Sequence, residues 1–188
     1  MKKLKLQIQT SVDGFMAGPN GEMDWMEWNW DESLKQYVTD LTNSVDTILL
    51  GRKLAEGFIP YWENVAKDPN NPQAEAGVQF TNLRKIVFSK TVQSMKGVNT
   101  IMHTGDLAIE VKRLKKETGK DLIAYGGSSF VTSLIAEKLV DEFHLFVNPT
   151  AIGKGLTIFK HGELQSKLQL IKATPFECGI VLLQYVPR

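Results

Sequence analysis

Between Leu4 and Val12 apolar and polar side chains alternate, with Leu4, Leu6 and Ile8 set against Lys5, Gln7 and Gln9. A period of two predicts a half-buried strand, ended by the turn formers Asp13 and Gly14. A long loop follows through Gly18, Pro19, Asn20 and Gly21 to Trp25, Trp28 and Trp30. The period then lengthens. Leu34, Tyr37, Val38 and Leu41 recur on one face of a helix, and Asp31 stands where that helix needs a capping side chain.

The runs Ile48 to Leu50, Ile86 to Phe88 and Leu122 to Tyr125 are apolar without alternation, which suits central strands covered on both faces. Between them a helix is expected with Asn71 as its cap and Pro72 in its first turn. Another helix carries Leu107, Val111 and Leu114, and a further one Phe130, Val131, Leu134 and Ile135. Phe143 to Val147 reads as a strand. Leu168 to Lys172 and Ile180 to Tyr185, joined through Pro175 and Gly179, read as a terminal antiparallel hairpin. Strands alternating with helices predict an α/β sandwich, mostly parallel, with an antiparallel C-terminal edge.

The 188 residues fit one domain without internal repeat or linker, and the composition is that of an ordinary globular chain. A net charge of +1 gives no electrostatic footprint for nucleic acid. The lone Cys178 falls in an apolar, strand-like run and reads as a buried thiol in a reducing compartment. The alternating N-terminus is unlike a signal peptide, and no apolar run reaches the ~18 residues of a membrane helix, so the expected location is cytoplasmic.

In open α/β sheets ligands collect beyond the carboxyl ends of strands. Three of the expected strands deliver phosphate ligands there: Gly51, Arg52 and Lys53; Ser89, Lys90 and Thr91; and Gly126, Gly127, Ser128 and Ser129. In the third group glycine lets backbone approach an anion, and a new helix offers unpaired N–H groups. Taken alone, that turn also reads as a plain strand-to-helix cap, and the cations as solvated side chains. A basic residue placed for a ribose phosphate favours NADPH over NADH. The full G-x-G-x-x-G and G-x-x-x-x-G-K-[ST] signatures are missing. Gly153 and Gly155 read either as a turn or as glycines beside a nicotinamide.

Asp13, ending the first strand at the same edge, is the candidate catalytic carboxylate, although Asp-Gly is also an ordinary turn pair. Trp25 is the tryptophan expected to face a flat substrate, the alternative being a loop anchor or dimer contact. His103, His144 and His161 show no metal-ligand spacing, so no metal is expected.

The segments TILLGRKLAEGF, KIVFSKT and DLIAYGGSSFVTSLIAEKLVDEFHLFVNPTAIGKGLTIF resemble the dihydrofolate reductase superfamily, most closely the reductase (C-terminal) domain of the bifunctional riboflavin biosynthesis protein RibD. SVDG at Ser11 to Gly14 also matches the riboflavin-type pattern. The resemblance implies a dihydrofolate reductase-like three-layer sandwich with about eight strands, NADPH as cofactor, and frequent homodimers. By the same resemblance Gly51, Arg52 and Lys53 are cofactor-binding, Ser89 and Lys90 contact the adenosine phosphate, and Gly126 to Ser128 form the pyrophosphate turn. The implied activity is hydride transfer to a pteridine such as dihydrofolate, or to the ribosylaminopyrimidine of riboflavin biosynthesis. Tyr125 stands where riboflavin-type reductases usually carry an acidic residue. Asp31 and Glu32 lie near the helix start where dihydrofolate reductases place a carboxylate. Both features also suit a nucleotide-binding module without catalysis.

Overall fold

The structure, a computed structural model, describes residues 1–159 and 167–188; His161 lies outside them. In chain order the elements are β1 (Leu4–Ser11), α1 (Glu32–Asn43), β2 (Val45–Gly51), α2 (Arg52–Lys67), α3 (Ala74–Asn82), β3 (Arg84–Phe88) and β4 (Thr100–His103). They continue with α4 (Leu107–Lys115), β5 (Asp121–Ala124), α5 (Ser128–Ala136), β6 (Glu142–Asn148), β7 (Leu168–Pro175) and β8 (Val181–Pro187).

The strands form one sheet in the order β4-β3-β2-β5-β1-β6-β8-β7. All neighbours from β4 to β6 are parallel, and β8 and β7 close the edge antiparallel. Alternate residues of the central strands serve opposite faces. Leu49, Leu122 and Ala124 pack with Val111 and Leu114 of α4 and Phe130, Val131 and Leu134 of α5. Ile48, Leu50 and Ile123 pack on the other face with Leu41 of α1, Ala55 and Ile59 of α2 and Phe80 of α3. This is the sandwich expected from the apolar runs.

Four local expectations are corrected. The helix expected with Asn71 as cap starts instead at Ala74 with Gln73 as its cap, after a separate helix, α2, that begins directly behind Gly51. Asn71 instead closes a preceding turn, its side chain accepting from Gln73 N–H at 2.9 Å. Thr100–His103 adds a strand that four residues were too short to announce. Cys178 is half-buried in the β7–β8 turn, with its N–H donating to Asp31 Oδ2.

The fourth concerns β1. Its alternation does not mark a solvent face, because β1 lies inside the sheet and its polar residues Lys5 and Gln7 lie on the side that α1 covers. Lys5 is 9% exposed and pairs with Asp121 while donating to Ser44 at the end of α1. Gln7 lies opposite His144, a buried residue whose Nδ1 is 2.7 Å from the hydroxyl of Tyr37 in α1. The neighbouring His144 imidazole, and beyond it Lys3, hold the Glu142 carboxyl down to about 2 against the opposing effect of burial. A polar seam therefore runs under α1 between two apolar clusters.

Candidate functional site

Two helices, α2 and α5, start at the carboxyl ends of the adjacent strands β2 and β5, each with glycine at its N-cap. No side chain caps either helix, and neither first turn holds an acidic residue. The chain treats its other helices differently. Asp31 accepts from Leu34 N–H at α1, Asp106 accepts from Ile109 N–H at α4, and α3 has Glu75 in its first turn. An uncapped helix start keeps unpaired N–H donors and the positive end of the helix dipole, the arrangement that binds anions.

These two starts lie side by side. A Cβ on Gly51 would stand 2.8 Å from Cβ of Phe130, closer than real side chains come, so the contact between the β2–α2 junction and α5 requires glycine there. Gly127 has φ +91°, in the left-handed region that glycine adopts without strain. Phe130 also stacks on Phe88 at the end of β3, with ring centroids 5.4 Å apart. One aromatic floor thus connects the ends of β3, β2 and β5.

The structure accordingly brings together the three turns singled out from the sequence. Ser128 is half-buried, and Ser129 is exposed at the start of α5. Arg52 is already paired with Glu56 one turn along α2, whereas Lys53 and Lys90 are exposed. Ser89 Oγ accepts from Thr91 and Val92 N–H at 3.2 and 2.9 Å, so that hydroxyl shapes its own turn. Thr91 is exposed beside it.

Beyond β5 the edge changes character at β1 and β6. Asp13 is exposed, and its carboxylate accepts from Ser11 Oγ at 2.6 Å and from the N–H groups of Ile152 and Gly153. The Ser11 hydroxyl, followed by those two backbone donors, holds its pKa below the usual carboxylate range against slight desolvation. Asp13 is therefore ionised and ties the loop after β1 to the loop after β6. A backbone bridge between Ala17 and Leu156 makes a second tie. Gly153 and Gly155 belong to this joined loop.

Trp25 is half-buried, with its indole N–H spent on the Glu22 carbonyl at 3.1 Å. Trp28 is 62% exposed and stacks on Trp30, which anchors the loop against Leu34 and Phe146. The loop is pinned from below by a residue that sequence reasoning missed. Asn148, fully buried at the end of β6, accepts from Glu27 N–H at 2.9 Å and donates to Gln9 Oε1 at 2.8 Å. Its only sequence signal was a polar residue closing an apolar strand.

Tyr125 turns away from the glycine turn. Its ring stacks on Phe58 of α2 at 5.6 Å, and burial pushes its hydroxyl pKa well up. Asp31, one of the two carboxylates near the start of α1, is committed to capping that helix, and Glu32 is exposed. Among the described residues no group of three His, Cys, Asp or Glu side chains is arranged to hold a metal, and no helix is long and apolar enough to cross a membrane.

Comparison with known proteins places this geometry. The chain is 34% identical over 187 residues to the uncharacterized protein YyaP of Bacillus subtilis, covering 98% of this chain and 94% of the relative. A pyrimidine reductase-like protein from Corynebacterium diphtheriae superposes with a TM-score of 0.65 at 14% identity, over all of this chain and 92% of that one. A diaminohydroxyphosphoribosylaminopyrimidine deaminase/5-amino-6-(5-phosphoribosylamino)uracil reductase from Thermotoga maritima gives 0.70 at 18% identity, over all of this chain and 57% of that longer one. These likenesses establish the dihydrofolate reductase-like fold. The RibD C-terminal domain model matches residues 2–182, and with nearly the whole length accounted for, the chain belongs to the RibD C-terminal domain family.

Proposed function

We propose that the protein is an NADPH-dependent reductase that delivers hydride to a flat heterocyclic substrate of the pyrimidine or pteridine kind. The observation that carries this reading is the pair of touching, glycine-capped and otherwise uncapped helix starts at β2 and β5. Two clusters of open N–H donors suit the two anionic groups of a pyrophosphate. Lys53 and Lys90, exposed after the ends of β2 and β3, are the cations offered to a ribose phosphate. When bound, NADPH supplies the hydride, and the protein contributes alignment and a dry, shaped site.

In this reading Asp13 is an ionised acceptor at the edge beside the cofactor. It fixes the joined loops and accepts a hydrogen bond from a heterocycle N–H; its lowered pKa makes it a poor proton source at neutral pH. Trp25 lies in the loop that covers the ring. The reductase named in the Thermotoga maritima protein supports a pyrimidine as the first substrate to assay.

Titration with NADPH and NADH, followed by nicotinamide fluorescence and by protection against thermal unfolding, tests the cofactor. Lys90→Gln is expected to weaken NADPH far more than NADH. No response to either cofactor at millimolar concentration overturns the reading. The engagement of the Asp13 carboxylate by three donors favours a second reading, a dinucleotide-binding module without turnover. Saturable NADPH binding with no oxidation in the presence of dihydrofolate or the ribosylaminopyrimidine would select it.

A further inference from the structure

The buried amide of Asn148 is oriented by backbone groups whose chemistry is unambiguous. Glu27 N–H is a donor, so the atom 2.9 Å from it is the side-chain oxygen. The carbonyls of Thr10 and Phe146 are acceptors, so the atom 3.3 and 3.2 Å from them is the side-chain nitrogen. That nitrogen then faces Gln9 at 2.8 Å and obliges Gln9 to turn its oxygen inward. Each amide fixes the next.

The consequence falls on Gln9 Nε2. With its oxygen consumed by Asn148, the half-buried Gln9 has two N–H donors left and no acceptor partner for them among the described residues. Gln7, two residues earlier on the same face, differs: its Oε1 is sealed from solvent. Gln9 lies two residues from the end of β1 and is bonded to the same Asn148 amide that pins the tryptophan loop through Glu27 N–H. That end of β1 therefore presents the unmatched amide donors of Gln9.

Resting on the reductase reading, we propose that Gln9 is a specificity-determining residue that reads a ring carbonyl of the substrate, and that Asn148 is the positioning residue that sets its polarity. A lactam or pyrimidinone edge is accepted because it offers an acceptor to two fixed donors. An amino-substituted edge at the same place sets donor against donor and is rejected.

The test uses the full-length protein saturated with NADPH and two probes of equal shape, 5,6-diaminouracil and 2,4,5,6-tetraaminopyrimidine. Binding is read by quenching of tryptophan emission, and NADPH affinity is measured separately for every variant. Wild type is expected to prefer the uracil by about tenfold or more, the scale of one hydrogen bond replaced by a repulsive pair. Gln9→Glu keeps the inward acceptor and turns a second one outward, so the preference reverses; Gln9→Met removes both and erases it. Retained NADPH binding with equal probe affinities in wild type, or with an unchanged preference in both variants, overturns the inference and leaves the reductase reading standing. Wild type that does not bind NADPH overturns both.

Discussion

Replacing Ser129 by Asp sets stability against cofactor binding at one atom group. Ser129 is the exposed second residue of α5, a helix with no capping side chain and no acidic residue in its first turn. A carboxylate at a helix start interacts with the dipole by about 0.3–1 kcal/mol, so the free protein gains stability. For a chain of this size that corresponds to a rise of about 1–4 °C in Tm. The same charge opposes a pyrophosphate seated on the α5 N–H groups. At a separation of about 5 Å two unit charges repel by ~1–3 kcal/mol between the dielectric limits of water and protein surface. NADPH affinity should therefore fall roughly 10- to 100-fold. Ser129→Asn, of the same shape without the charge, should bind NADPH within a few fold of wild type. Melting curves with and without NADPH read both effects on one sample: the Asp variant melts higher when free and gains less from cofactor. An Asp variant that binds NADPH as well as the Asn variant would refute the placement of an anion at this helix.

Gly51→Ala drives a methyl into Phe130 Cβ at 2.8 Å, and overpacking of this kind costs about 1–3 kcal/mol, measurable as a lower urea midpoint. An unchanged midpoint would show that the end of β2 and α5 do not meet as described. Lys85, 1% exposed, donates to the carbonyls of Phe80, Thr81 and Leu83 at 2.7 to 2.8 Å and so closes the end of α3. Lys85→Met strands these acceptors and should cost about 2–3 kcal/mol in the same assay. Glu142, held down to about 2 from 4.5, contributes stability that is present above the unfolded pKa and lost as pH falls from about 4.5 towards 2. Because its Lys3 partner is largely solvated, the contribution is about 1 kcal/mol. Glu142→Gln should be less stable than wild type at pH near 6, with the gap closing in acid; a gap independent of pH refutes the assignment.

How much of this was legible beforehand differs by element. Apolar runs at Ile48, Ile86 and Leu122 exposed the central strands because burial on both faces removes polar residues from them. The extent of α2 was hidden because Gly57 and Pro60 sit inside it, residues that weaken helices locally and are tolerated here by the packing of Ala55, Ile59 and Val65. The alternation of β1 was visible but misassigned: polar residues at every second position mean a solvated face or a satisfied polar seam, and local pattern alone does not separate the two.

The sequence by itself determined the sandwich, the three glycine, serine and basic turns, and the family resemblance. These depend on periodicity, on turn chemistry and on residues close together in the chain. Only the tertiary structure decided that the three turns are neighbours, since their adjacency follows from the strand order β3-β2-β5-β1. It also decided what Asp13, Gln9 and Asn148 do. Asp13 meets donors 139 and 140 residues away, and Asn148 meets Gln9 across 139 residues. Hydrogen-bond partners at that range are set by sheet register, which no local pattern encodes.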